Sequence, residues 1–104
     1  MKLPLLTASL LLALGAAHAA TPEEVMNKAG CLACHAKDKK LVGPSFKDIA
    51  AKYKGQADAV ARLSDKVRKG GSGVFGPIPM SPNGPDKISD ADLKAAIESI
   101  LKTS

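Results

Sequence analysis

Residues 31–35 read CLACH: Cys31, Leu32, Ala33, Cys34, His35. Two cysteines stand two residues apart, with a histidine directly behind the second. The run could be a disulfide, part of a zinc site, a redox dithiol or an attachment point for a larger group. The residues on either side bear on the choice. The chain has 104 residues, enough for one domain. Its start, MKLPLLTASLLLALGAAHAA, places Lys2 before an apolar run from Leu3 to Ala17, followed by the small-x-small site Ala17-His18-Ala19. That is the layout of a secretory leader. A membrane anchor would need about 20 apolar residues, more than this run supplies. The expectation is a leader over 1–19 that is removed, a domain over 20–104, and no stable membrane insertion after cleavage.

The whole chain carries a formal charge of +5. Loss of Lys2 with the leader leaves it basic. The lysines are scattered, apart from the small cluster Lys37, Lys39 and Lys40. The only aromatic residues are Phe46, Tyr53 and Phe75, and none is interleaved with that cluster. A nucleic-acid surface is not expected. The lysines read as a solvated face, and at most as a mild attraction to an acidic partner or an anionic membrane surface. The domain has few large apolar side chains and no Trp. Domains this small often need a staple to complete their core.

Four helices can be read, and no strand. The first opens at Thr21 as N-cap, with Pro22 behind it and Glu24 in place for a capping box. It runs to Ala29-Gly30 and delivers CLACH at its end. The second opens at Ser45 with Asp48 three residues on. Phe46, Ile49, Ala50 and Tyr53 form its apolar stripe, and Gly55 stops it. The third spans about Ala57 to Lys69, with Val60, Leu63 and Val67 on one face and Gly70-Gly71 at its end. In the fourth, Ser89 and Asp92 make the cap, and Leu93, Ala96, Ile97, Ile100 and Leu101 repeat at helical spacing. Between the last two lies GGSGVFGPIPMSPNGP, residues 70–85. Its four prolines bar helix and sheet. Its apolar residues Val74, Phe75, Ile78 and Met80 argue against a disordered linker and call for an apolar object to lie on.

In this setting the readings of CLACH separate. A disulfide over two intervening residues closes a tiny loop and stabilises little. Zinc wants about four ligands, and residues 20–104 offer only Cys31, Cys34 and His35 from the usual soft set. A thioredoxin-like dithiol expects a βαβ setting. C-x-x-C-H is the spacing for covalent haem attachment, in which each thiol adds to a porphyrin vinyl group and the histidine gives its nitrogen to iron. The haem would also be the missing core. His18 falls in the leader and reads as incidental. Of the two methionines after residue 19, Met26 sits on the apolar face of the first helix and reads as packing. Met80, in the proline-stiffened loop, reads as the second axial ligand, and a Met/His pair raises the reduction potential.

Three stretches carry a resemblance: GCLACHAKD (30–38), VGPSFKDIAAKYKGQA (42–57) and, most specific, GVFGPIPMSPN (73–83). The chain resembles the small bacterial class I c-type cytochromes of the c-551 (c8) kind over its whole length beyond the leader. The resemblance implies an all-α fold of about four helices wrapped around one covalently attached haem c, with the first and last helices crossing. It implies thioethers at Cys31 and Cys34, His35 as proximal ligand and Met80 as distal ligand. Pro44 matches a proline whose carbonyl accepts the proton on the other histidine nitrogen, and Asn83 matches a residue that hydrogen-bonds near the methionine sulfur. Phe75 departs from the pattern: relatives commonly carry Trp there, whose N–H reaches a haem propionate. Lys66 falls where a basic propionate partner is often seen.

The implied function is single-electron transfer in the periplasm by a monomer that transforms no substrate. The electron would leave near Cys31, Cys34 and the loop from Ile78 to Pro82. Its partners would be redox proteins such as a membrane cytochrome complex, a terminal oxidase, nitrite reductase or cytochrome c peroxidase. The alternative class is a haem enzyme or ligand-binding haem protein with one side of the iron open, and Met80 discriminates the two.

Overall fold

The computed structural model describes residues 20–104. The expected leader, with His18, lies outside the described residues. Four helices follow one another: α1 Pro22–Ala29, α2 Phe46–Tyr53, α3 Ala59–Lys69 and α4 Asp90–Leu101. A single 3-10 turn, Cys31–Ala33, follows α1. The described residues contain no β-strand, only two isolated bridges, His35 with Lys40 and Gly71 with Met80. The fold is the all-α one expected.

The helix starts follow from their caps. The Oγ1 of Thr21 accepts from the Glu24 N–H at 3.2 Å, the Oγ of Ser45 from Asp48 at 3.0 Å, and the Oγ of Ser89 from Asp92 at 3.2 Å. Each bond satisfies one backbone donor that the first turn leaves without a partner. Pro22 occupies the first turn of α1, where its missing N–H costs nothing. Gly30 ends that helix in the left-handed region at φ 86°, and its N–H returns to the Asn27 and Met26 carbonyls.

The third helix begins two residues later than its apolar pattern suggests, at Ala59 instead of Ala57. Residues 56–58 form a tight turn, with the Ala59 N–H bonded to the Gln56 carbonyl at 3.2 Å. Asp58 precedes the helix without capping it through its side chain. A turn residue with helix-like composition extends an apolar period without extending the helix.

α4 is the hub. It packs against α1, α2 and α3. Its Leu93, Ala96 and Ile97 enter a core with Val25 and Met26 of α1, Phe46, Ile49 and Tyr53 of α2, Ala59 of α3, and Ile88. Met26 is 4% exposed, in keeping with its reading as packing. Ala29, Cys31, Leu63 and Val67 are partly buried against the same cluster. The first cysteine therefore rests on the core that α4 organises.

This hub can be tested by Ile97→Ala, since Ile97 is among the most fully buried side chains. Truncation should cost about 2–5 kcal/mol. Guanidinium titration of the haem-loaded protein should show that loss, with helix content unchanged at zero denaturant.

Candidate functional site

The turn after α1 sets the spacing of CLACH. The Cys34 N–H bonds to the Cys31 carbonyl at 3.2 Å, and the His35 N–H to the same carbonyl at 3.0 Å. One turn thus carries Cys31, Cys34 and His35 together. The Cys31 thiol is pushed up, chiefly by burial and further by the neighbouring Cys34, against a lowering backbone hydrogen bond. Redox dithiols and metal-binding thiolates need the opposite shift. The Cys31 environment favours a neutral sulfur held in an apolar wall.

The segment after His35 folds back over it. The Gly43 N–H bonds to the Cys34 carbonyl at 2.8 Å, and the Phe46 N–H to the Ala36 carbonyl at 2.9 Å. This return places the Pro44 carbonyl 2.7 Å from His35 Nδ1. A carbonyl only accepts, so Nδ1 carries the proton and donates. The Nε2 lone pair is left for another partner. The ring stacks on Phe46, centroids 5.6 Å apart at 20°. A Cβ at Gly43 would stand 2.5 Å from His35 Cε1. Glycine is needed there for close approach, and the imidazole is held by a hydrogen bond, a ring face and a backbone.

Loop 70–85 supplies the other part of the site. Gly71 and Met80 exchange two backbone hydrogen bonds, each 2.9 Å. Gly70 has φ 68° and ψ −153°, a conformation closed to other residues, and a Cβ on it would collide with the Met80 carbonyl and the Pro82 nitrogen. The Asn83 N–H bonds to the Val67 carbonyl at 3.0 Å. The Asn83 side-chain amide donates to the Ser81 carbonyl at 3.0 Å and the Val67 carbonyl at 3.5 Å. These are the hydrogen bonds that the Asn83 amide makes in this structure. The amide ties the loop to α3. Phe75 lies under Lys52 of α2, Nζ 5.6 Å from the ring centroid.

Both parts line one cleft of about 690 Å³. Cys31, Cys34, His35, Pro44, Phe75, Met80 and Asn83 all border it, as does Lys66. Ile49, Tyr53 and Leu63 form its helical floor, and Lys40 and Lys87 also reach it. Lys40 shows in the sequence only as part of a surface cluster and Lys87 not at all, because each belongs to a loop whose return over the cleft no local pattern announces. Of the large apolar side chains left exposed, Val42, Val74, Phe75 and Ile78 all border this cleft. The volume suits a large ligand, and the lining suits an apolar one. Two thiols, an imidazole with a free Nε2 and a thioether on the walls of an apolar slot fit a haem, and the Gly43 cradle leaves room for the imidazole alone.

The cytochrome c family model matches residues 19–104. Cytochrome c2 of Rubrivivax gelatinosus is 56% identical over 84 residues, 81% of this chain and 99% of the relative. Cytochrome c-551 of Pseudomonas aeruginosa is 46% identical over 99 residues, 95% of this chain and 91% of the relative. The crystal structure of Nitrosomonas europaea cytochrome c552 superposes with a TM-score of 0.73 at 46% identity, covering 79% of this chain and 99% of that one. The chain belongs to the cytochrome c family, as a small class I c-type cytochrome with one covalently bound haem c, in a family of electron carriers.

Proposed function

We propose that this protein is a soluble periplasmic carrier of single electrons between redox proteins of respiration or denitrification. The observation that supports it most is the meeting of His35 and Met80, far apart in sequence, on one cleft beside Cys31 and Cys34. In this reading Cys31 and Cys34 would hold the haem by thioethers, and His35 Nε2 and the Met80 sulfur would hold its iron. Bound there, the haem supplies an iron that alternates between ferrous and ferric states.

The remaining work is done by the chain. Pro44 holds the proton on Nδ1, which fixes the tautomer and the ring orientation. Phe46 and Gly43 keep the ring from tilting. The Gly71–Met80 bonds and the Asn83 amide keep the thioether in place, so little has to move when charge changes. With both axial positions filled, no position is open to a substrate, and the protein acts as a carrier and not an enzyme. Asn83 serves by bracing the loop, and Phe75 by covering the cleft as a hydrocarbon wall.

Encounter with partners is assigned to the cleft mouth. Leu32, Leu41, Val42 and Ile78 are exposed there or beside it, and the charges between Leu32 and Leu41 are Lys37, Asp38, Lys39 and Lys40, cationic on balance. An apolar centre with a cationic border suits brief docking on an acidic redox partner, such as a membrane cytochrome complex, terminal oxidase, nitrite reductase or cytochrome c peroxidase. Export rests on the leader pattern. The 99-residue match to cytochrome c-551 is longer than residues 20–104 can hold, so it extends into the segment that carries this pattern. Among the described residues no helix is long and apolar enough to cross a membrane.

The axial assignment is tested by Met80→Ala beside Met26→Leu. Met80→Ala should keep the haem attached, lose the iron–sulfur charge-transfer band near the red edge of the ferric spectrum, and lower the potential. Met26→Leu should leave spectrum and potential alone and cost under about 1.5 kcal/mol. An unchanged spectrum in Met80→Ala would sink the six-coordinate reading.

Export and attachment are tested together by mass spectrometry of periplasmic protein. The mass should correspond to a chain starting at Ala20 or Thr21 plus one haem that acid-acetone does not extract. A retained leader, or an extractable haem, would count against the processing or the thioethers respectively.

A further inference from the structure

The last turn of α3 carries three cations, Lys66, Arg68 and Lys69. Two of them differ sharply in surroundings. Lys69 pairs with Asp65 on the surface, its side chain 75% exposed. The Arg68 side chain is 19% exposed and reaches out of its own helix. Its Nη1 donates to the Ile88 carbonyl at 2.7 Å and to the Asn83 carbonyl at 3.2 Å. Its Nη2 donates to Asp90 Oδ1 at 2.6 Å. These partners are 15, 20 and 22 residues away in sequence.

Residues 83–90 are the return of the Met80 loop and the start of α4. One planar guanidinium therefore grips the loop just after Met80 and again where it enters α4. Ile88 is 5% exposed, so solvent cannot readily take over its carbonyl. Arg68 also follows Val67, whose carbonyl holds Asn83 from the same turn. On the other flank of Met80, Gly71 makes its two backbone bonds. The segment carrying Met80 is thus moored on both sides to the C-terminal end of α3, and Arg68 is the only side chain among the described residues that bridges Asn83, Ile88 and Asp90. The carboxylate of Asp90 is 93% exposed, so the ion pair is screened and the backbone carbonyls are the grip that counts.

We infer that Arg68 is a positioning residue for the Met80 loop: its Nη1, shared between the Asn83 and Ile88 carbonyls, sets how often the Met80 sulfur swings away from the iron. The inference rests on the axial role proposed for Met80. The guanidinium is planar and its Nη2 on Asp90 fixes the direction of Nη1, whereas a lysine carries its one nitrogen on a flexible stem and holds the same two carbonyls less firmly. Removing the guanidinium leaves two carbonyls without their charged donor, which should raise the population of the open loop by roughly tenfold to a hundredfold.

The experiment uses the ferric, haem-loaded protein and imidazole as probe. At saturating imidazole the association rate is limited by loop opening. Arg68→Gln and Arg68→Lys should both raise that limit by about tenfold or more. Asp90→Asn should change it by less than about twofold. Ile97→Ala, which weakens the core without touching the loop, serves as the control for global stability. The positioning role is overturned if both Arg68 variants bind imidazole at the parent's limiting rate, or if Ile97→Ala speeds binding as much as they do. Met80→Ala should bind without a limiting opening step; if it keeps the parent's rate, the axial reading of Met80 fails, and this inference with it.

Discussion

One hydrogen bond, 2.7 Å from His35 Nδ1 to the Pro44 carbonyl, organises the first wall of the site. To make it, the chain must turn back after CLACH, pass close enough to the imidazole that only glycine fits at 43, and present a carbonyl from a residue with no N–H of its own. α2 then starts at once behind Pro44, with Ser45 as its cap and Phe46 against the imidazole. The start of a helix, the tautomer of a histidine and the width of a cleft are therefore one structural decision. A change at any of these residues is felt at all three.

The second wall has no such single centre. Loop 70–85 contains too many prolines to form a ladder and too many glycines to be stiff by itself. Its order comes from outside, from the last turn of α3. Backbone bonds from Val67 and Gly71 hold its main chain, and Arg68 holds its exit. Of the side chains that border the cleft from this loop, Asn83 shares in that hydrogen bonding and Phe75 does not. This explains how Phe75 can stand where relatives commonly have Trp while the loop retains bonding that does not pass through that side chain. Lys52 above its ring adds a link to α2.

Much of this could be read from the sequence because much of it is local. Caps three residues apart, apolar stripes at helical spacing and C-x-x-C-H all act within one or two turns. The four helices and the all-α fold followed from them. The start of α3 is not legible, since Ala57 fits an apolar helical pattern while the backbone there makes a turn. For Asn83 the resemblance implies a contact near sulfur, and nothing local shows that its amide also reaches the Ser81 and Val67 carbonyls. Nothing in the sequence singles out Arg68. In sequence it is one of three cations at a helix end, and only the fold reveals that its partners sit 15 to 22 residues downstream. Contacts of that span leave no periodic trace.

The two walls close over spans of equal length. His35 reaches Pro44 nine residues on, and Gly71 pairs with Met80 nine residues on. Loop closure over so short a span costs little chain entropy. Each wall can form as a local structure before the molecule is compact, which keeps the contact order of the site low. What brings them face to face is α4, among the described residues the only helix that touches all of the other three. Both halves of the site are thus short-range in sequence, and only their meeting depends on a distant segment.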